Sequence, residues 1–277
     1  MVHVVRSATD DAGGLFIAAV DEVMTTDNAE SKRVVFDCEG VDLGRNGSVE
    51  LISVCFSSKK VFLVDVGKKR GEPDREIVKA VKDLFEDPMV TKIIHDCRMD
   101  SDALYHHHGI DLHNVHDTSC FHHVITNRED KNLNDVLVYN GLKQNAARDK
   151  SIYKRQPRFW ETRPISSIMI TWASSDVDRL FAVAAKQLNG ISDRKKQLAV
   201  AKSDASIKHA REMQIATGLS VRNPGYFIGK GGCNLRSLQQ RTDTLVYQRS
   251  GTGSGGVWYV YYSSTDGLNQ VKLAMRG

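Results

Sequence analysis

Residues 34–36 are Val, Val and Phe, and this apolar run ends in Asp37-Cys38-Glu39. A β-strand sends alternate side chains to opposite faces, so positions 37 and 39 point one way and Cys38 the other. Two acids aimed together from the end of a buried strand repel each other unless a cation lies between them. Magnesium and manganese prefer such hard oxygen ligands. The pair reads as half of a metal cage, and it demands a fold that brings further acids to the same strand end.

Two later segments supply candidates. Ile93-Ile94-His95-Asp96-Cys97-Arg98-Met99-Asp100-Ser101-Asp102 carries three aspartates where a strand passes into a helix. In Trp172-Ala173-Ser174-Ser175-Asp176-Val177-Asp178, Asp176 falls mid-helix, where aspartate has poor propensity and its burial is costly without a partner. Asp178 can face solvent.

A short amphipathic segment around 15–24 precedes strand-like runs at 33–38, 49–57 and 61–66, with turns at Asn46-Gly47 and Ser58-Lys59-Lys60. These predict an antiparallel meander. A helix over 75–85, a strand over 91–95 and a helix over 100–108 follow, and residues 114–117 with the helix after them repeat the theme. Such alternation predicts an α/β domain with a mixed sheet. A charged loop at 143–158 leads to one long helix over 166–188, whose apolar positions 168, 172, 173, 177, 180, 181 and 184 form a buried stripe. Residues 189–210 are polar and read as a linker that can be helical.

Charge separates the two ends of the chain. From residue 205 onward nine basic residues face three acids, a net +6, which leaves −2 for residues 1–204 out of the total of +4. A cationic module attached to an acidic, metal-holding one points to a polyanion as partner. The five cysteines are scattered without a CxxC pair, and no secretory signal or run of about 18 apolar residues occurs, so reduced thiols, an intracellular (cytoplasmic or nuclear) setting and no membrane are expected. His106-His107-His108 and its neighbours match no common zinc spacing. Cys38 and Cys97 show no paired base and read as small buried residues.

The residues now resemble a known family. Asp37-x-Glu39 within Phe36–Gly44, an aspartate after Ile94-His95-Asp96-Cys97-Arg98, and an aspartate on a late helix preceded by Trp160-Glu161-Thr162-Arg163-Pro164-Ile165 are similar to the DEDD superfamily of 3′–5′ exonucleases, in its RNase D-like branch. The resemblance covers about residues 1–190. It implies an RNase H-like α/β fold, here a mixed-sheet exonuclease domain over 1–195. By motif position it assigns two divalent ions, Mg²⁺ or Mn²⁺, to Asp37, Glu39, Asp100 and Asp176, passing over Asp96, Asp102 and Asp178. Two ions about 3.5–4 Å apart serve phosphodiester hydrolysis by lowering the pKa of the attacking water and supporting the leaving oxygen. The chain departs from the family at one point. RNase D-like members place a tyrosine four residues before the last aspartate, and a sister branch places a histidine five before it; here those positions hold Trp172 and Thr171. An indole N–H donates but cannot accept a hydrogen bond. Trp172 is either a catalytic residue that orients water or stacks a base, or core packing.

Residues 226–240 contain Ile228-Gly229-Lys230-Gly231-Gly232, with Leu235 and Leu238 at helical spacing. Strands over 244–249 and 257–263, a glycine-rich loop at 250–256 between them and a helix over 265–275 follow. This arrangement resembles a type I KH domain, a small α+β unit over 207–277. Glycines let a backbone approach phosphates closely, and a cation beside a helix N-terminus attracts them. The resemblance implies that Ile228, Gly229, Lys230, Gly231, Gly232 and Arg236 contact single-stranded RNA, or single-stranded DNA. The expected function is a metal-dependent 3′–5′ exoribonuclease that releases nucleoside monophosphates. The alternatives are an RNA-binding adaptor on an inactive exonuclease fold and a DNA 3′–5′ exonuclease.

Overall fold

The computed structural model describes residues 1–128, 132–249 and 256–277, and the chain divides into two units: Met1–Lys150 with Phe159–Lys208, and His209–Gly277 with Ser151–Arg158. In chain order the elements up to the end of the long polar helix are β1 (Val2–Val5), α1 (Asp11–Thr25), β2 (Arg33–Glu39), β3 (Leu51–Phe56), β4 (Val61–Asp65), α2 (Arg75–Glu86), β5 (Thr91–Ile94), α3 (Arg98–His108), β6 (Val115–Asp117), α4 (Thr118–Thr126), α5 (Leu133–Tyr139), α6 (Ile152–Arg155), α7 (Ser167–Val177), α8 (Leu180–Leu188) and α9 (Asp193–Glu212). The remaining elements are β7 (Gln214–Leu219), α10 (Pro224–Ile228), α11 (Cys233–Thr242), β8 (Thr244–Gln248), β9 (Trp258–Tyr262) and α12 (Thr265–Arg276).

The first unit is built on a mixed sheet of order β1-β4-β3-β2-β5-β6. The predicted meander is present: β2 pairs antiparallel with β3 and β3 with β4. The β5 and β6 strands extend the sheet in parallel from β2, and β1 closes the other edge in parallel with β4. Strand β1 is absent from the sequence reading, because four residues give too short a run to show a period. Along β2, Val34, Phe36 and Cys38 enter a core with Phe16 and Val20 of α1, Val81 and Phe85 of α2 and Leu104 of α3. The Phe36 and Phe85 rings lie 4.4 Å apart. Helix α7 crosses the opposite face over β2, β3 and β4, so Asp37 and Glu39 look toward α7.

Polar contacts fix where the helices begin. Asp74 caps α2 through the Glu76 and Ile77 N–H groups and also accepts from Ala8, just past β1. Ser166 caps α7 by accepting from Met169 N–H. The buried Arg163 ties the loop before α7 to the end of β4, donating to Asp65 at 2.5 Å and to the Trp160 carbonyl at 2.7 Å.

Three sequence expectations change. The single helix over 166–188 is two, α7 and α8, parted at Asp178-Arg179; Arg179 keeps right-handed but flattened angles (φ −103°, ψ −12°) and donates to the Lys143 carbonyl. The bend lets α7 cross β2–β4 while α8 packs on α4 and β5. The charged loop at 143–158 contains the short helix α6. The polar stretch taken for a linker is the 20-residue helix α9, most of which belongs to the first unit rather than lying between domains. Ala199, Ser203 and Ile207, at i, i+4 and i+8, are buried, Ser101 Oγ donates to the Ile207 carbonyl at 2.6 Å, and Asp117 N–H donates to Ser203 Oγ at 3.3 Å. Two of these three residues, Ala199 and Ser203, are small, so a hydropathy reading passes over the stripe.

In the second unit the order is β7-α10-α11-β8-β9-α12, with a three-stranded antiparallel sheet β7-β9-β8. Phe227, Leu238, Val246, Trp258, Val260, Leu268 and Val271 form its core. The expected glycine-rich loop at 250–256 lies, apart from Gly256, outside the described residues. Among the described residues no helix is long and apolar enough to cross a membrane.

If α9 is a packed part of the first unit, Ile207→Ala removes a buried side chain and leaves a cavity. The expected cost is about 2–4 kcal/mol, read as faster hydrogen exchange of α3 amides. A mere linker would lose nothing.

Candidate active site

Asp37 and Glu39 leave the end of β2 on one face, and α7 brings Asp176 over them. Each of the three offers a carboxylate oxygen, and these oxygens all lie within 4.8 Å of one another; Asp37 is partly exposed and the other two are buried. Asp100, in the first turn of α3, is buried and accepts the Cys38 N–H at 2.9 Å, so one of its oxygens is committed to the β2 backbone. It is not part of the close trio, yet its charge acts on Asp37.

The neighbouring aspartates have other work. Asp102 is buried and receives the Arg45 N–H at 2.7 Å and Nε at 2.9 Å. Asp96, at φ +61°, pairs with Arg98 Nε at 2.7 Å, and Asp178 pairs with Arg179 at 3.4 Å.

Electrostatics follow from crowding. Burial, then the charges of Asp100 and Asp176, push the Asp37 carboxyl well above the usual range, with Arg148 opposing. Burial followed by Asp37 and Asp176 does the same to Glu39, again opposed by Arg148. Burial lifts Asp100 to about 7 against the stabilising Cys38 N–H. Carboxylates held this way lack positive charge, and their hard oxygens and close spacing fit a divalent ion such as Mg²⁺ or Mn²⁺. The Cys38 and Cys97 thiols are pushed up by burial first, which keeps them protonated and unreactive at neutral pH.

Asp176 is held by three donors. Asn145 Nδ2 reaches Oδ1 at 2.8 Å, while Arg148 Nη1 at 2.5 Å and Trp172 Nε1 at 2.9 Å both reach Oδ2. Trp172 and Asp176 share a face of α7 at i and i+4. The Trp172 ring is buried and packs edge-on against Trp160 at 5.5 Å and near Phe159 at 6.1 Å, leaving no face for a nucleotide base. In place of the resembled tyrosine stands a donor that orients the acid. Asn145 also donates to the Trp172 carbonyl at 3.2 Å. Sequence reasoning missed Asn145 and Arg148, although a charged loop in a chain with a buried acid to satisfy was the available signal. Lys150, on that loop, also lies in the field of Asp176 and Glu39.

In the second unit, Gly229, Lys230, Gly231 and Gly232 join α10 to α11. Three of them take positive φ (+75°, +59° and +80°), and a Cβ on Gly229 would meet the Asn234 side chain at 2.7 Å. Asn234 is fixed there by donating to the Tyr226 carbonyl at 2.7 Å. Lys230 and Arg236 are exposed, Ile228 is half-buried, and Arg236 Nη1 donates to the Gly231 carbonyl at 2.6 Å. The loop presents backbone and two cations beside the start of α11.

A family model described as 3′–5′ exonuclease matches residues 19–190, and the chain belongs to this family. Its fold is that of RNase D: Trypanosoma brucei RNase D is 20% identical with a TM-score of 0.59 over 75% of this chain and 72% of that one. The same enzyme in complex with RNA U12 gives 21% and 0.57 over 75% and 70%. Escherichia coli RNase D, an exoribonuclease involved in structured RNA processing, gives 21% and 0.51 over 76% and 49%. Among curated proteins, the piRNA biogenesis protein EXD1 of Mus musculus is 36% identical over 80 residues, 29% of this chain and 13% of that protein. EXD1 of Homo sapiens is 25% identical over 145 residues, 48% of this chain and 27% of that protein. The match thus spans well under half of either relative.

The raised Asp100 value sets a pH dependence. An ordinary carboxyl ionises near pH 4, so between about 4 and 7 the unfolded chain has released a proton that the folded one keeps, and stability falls as pH rises. In chelator the first unit should unfold at lower denaturant at pH 8 than at pH 5. Saturating Mn²⁺ should shrink the difference; an unchanged midpoint in chelator would contradict the burial that raises Asp100.

Proposed function

We propose that the chain is a metal-dependent 3′–5′ exoribonuclease that shortens single-stranded RNA from its 3′ end to nucleoside monophosphates, and that its second unit is a type I KH domain that recruits the strand. The observation that carries the first half is the convergence of Asp37, Glu39 and Asp176, with oxygens within 4.8 Å, beside Asp100. Asp37, Glu39, Asp100 and Asp176 would hold two divalent ions, Mg²⁺ or Mn²⁺. Bound there, the ions would neutralise charge developing on the scissile phosphate and lower the pKa of the attacking water. The protein's share is to fix the carboxylates: the Cys38 N–H steadies Asp100, while Asn145 and Trp172 aim Asp176. Trp172 is thereby a positioning residue.

RNA as substrate is supported by the complex of T. brucei RNase D with RNA U12 and by the role in piRNA biogenesis that the EXD1 relatives carry in their name. The KH reading rests on the βααββα order and on the glycine loop. Ile228, Gly229, Lys230, Gly231, Gly232 and Arg236 would meet the phosphates there. Covalent linkage to the nuclease raises the local concentration of captured strand. A second reading, an RNA-binding adaptor without cleavage, is favoured by the donors that already saturate one oxygen of Asp176.

The test is end-labelled RNA and DNA of one sequence with purified protein in Mg²⁺ or Mn²⁺. Stepwise 3′ shortening of RNA is expected, and Asp176→Asn or chelator should abolish it while leaving RNA affinity near normal. DNA shortened in preference to RNA would favour a DNA exonuclease, and tight RNA binding without cleavage the adaptor. Replacing Lys230 and Gly231 together by Asp should weaken RNA binding about tenfold or more, the scale of one or two lost charge-assisted contacts, and spare hydrolysis of a short RNA at high concentration.

A further inference from the structure

A carboxylate offers about four acceptor positions, two on each oxygen. On Asp176 Oδ2 both are taken, by Arg148 Nη1 at 2.5 Å and Trp172 Nε1 at 2.9 Å, and Asn145 Nδ2 takes one on Oδ1 at 2.8 Å. A divalent ion approaching Oδ2 would meet a guanidinium already bonded there. The three donors are not alike. Asn145 and Trp172 are neutral and buried, so they can remain when a cation arrives. The Arg148 side chain is 25% exposed and sits between α5 and α6, outside regular secondary structure, so it can swing to solvent without breaking a helix or strand. Its charge is permanent at any ordinary pH.

Resting on the metal-cage reading above, we propose that Arg148 is a built-in counter-ion of the carboxylate cage, holding a cation position on Asp176 that a divalent ion takes only by displacing it. Without metal, the guanidinium offsets the repulsion among Asp37, Glu39 and Asp176 and keeps α7 seated over β2. With metal, the loop carries the arginine outward. Metal affinity is then set by a competition inside the protein as well as by the ligand set.

The experiment titrates Mn²⁺ alone into the full chain and into Arg148→Gln, Arg148→Lys and Asp176→Asn, following free Mn²⁺ by electron paramagnetic resonance, with circular dichroism to confirm folding. Arg148→Gln should bind Mn²⁺ about tenfold tighter than the parent, a change of about 1.4 kcal/mol. Arg148→Lys, which keeps the charge, should stay near the parent. Phenylglyoxal labelling of the unaltered protein, read by mass spectrometry, should modify Arg148 more completely with Mn²⁺ than with chelator. Equal or weaker Mn²⁺ binding by Arg148→Gln, or labelling that ignores Mn²⁺, overturns the counter-ion role. If the parent binds Mn²⁺ and Asp176→Asn does not, that failure leaves the cage reading standing. If neither the parent nor Arg148→Gln binds Mn²⁺, the cage reading falls with it.

Discussion

Mutual repulsion among carboxylates gathered at the end of β2 is the constraint around which the first unit is arranged. Charged groups of one sign are tolerated in a partly dehydrated site only when donors or cations answer them. Cys38 answers Asp100 with a backbone N–H, and the loop before α6 answers Asp176 with an amide and a guanidinium. The apolar side of β2, packed on α1, α2 and α3, supplies the stability that keeps such a strand end in place. The same residues that form the core on one face thus hold the acids on the other, through the two-residue period of a single strand.

Helix α7 is the second support. Its start is pinned by the buried Arg163 side chain on Asp65 and by the Ser166 cap, while Trp172 at its middle and Asp176 in its last turn lie one turn apart. The indole does two things there: its ring fills the core against Trp160, and its N–H aims the carboxylate. A tyrosine hydroxyl can donate and accept, whereas an indole only donates. At this position the chain therefore carries a group that can only donate, and it donates to the Asp176 carboxylate. In the second unit three glycines at positive φ expose backbone next to Lys230, and Asn234 leaves no space for a side chain at Gly229.

Much of this was legible in the chain. Strands β2, β3 and β4 announce themselves by runs of Val, Ile, Leu and Phe, and the antiparallel meander followed from their turns. Asp37 and Glu39 declared a common face by spacing, and Asp176 stood out as an aspartate of poor helix propensity whose burial demands a partner. The reading failed where the signal was weak or misleading. Strand β1 is short and its pairing with β4 is non-local. Helix α9 buries the small Ala199 and Ser203 beside Ile207, a stripe too sparse in large apolar residues for a hydropathy search to find. The stripe over 166–188 looked continuous because its apolar positions keep helical spacing on both sides of the bend at Arg179.

What the sequence by itself determined is the set of local commitments: which runs are strands, which acids share a face, and where glycines free the backbone. These depend on period, propensity and turn chemistry, all of which act within a few residues. Motif position named Asp100, and only the tertiary structure showed the partners that part it from its neighbours: the Cys38 N–H for Asp100, Arg45 for Asp102 and Arg98 for Asp96. It alone placed Asn145, Arg148 and Trp172 on one carboxylate. Those contacts bridge up to 31 residues of sequence and arise because a charge withdrawn from water takes whatever donors the packed fold brings within reach.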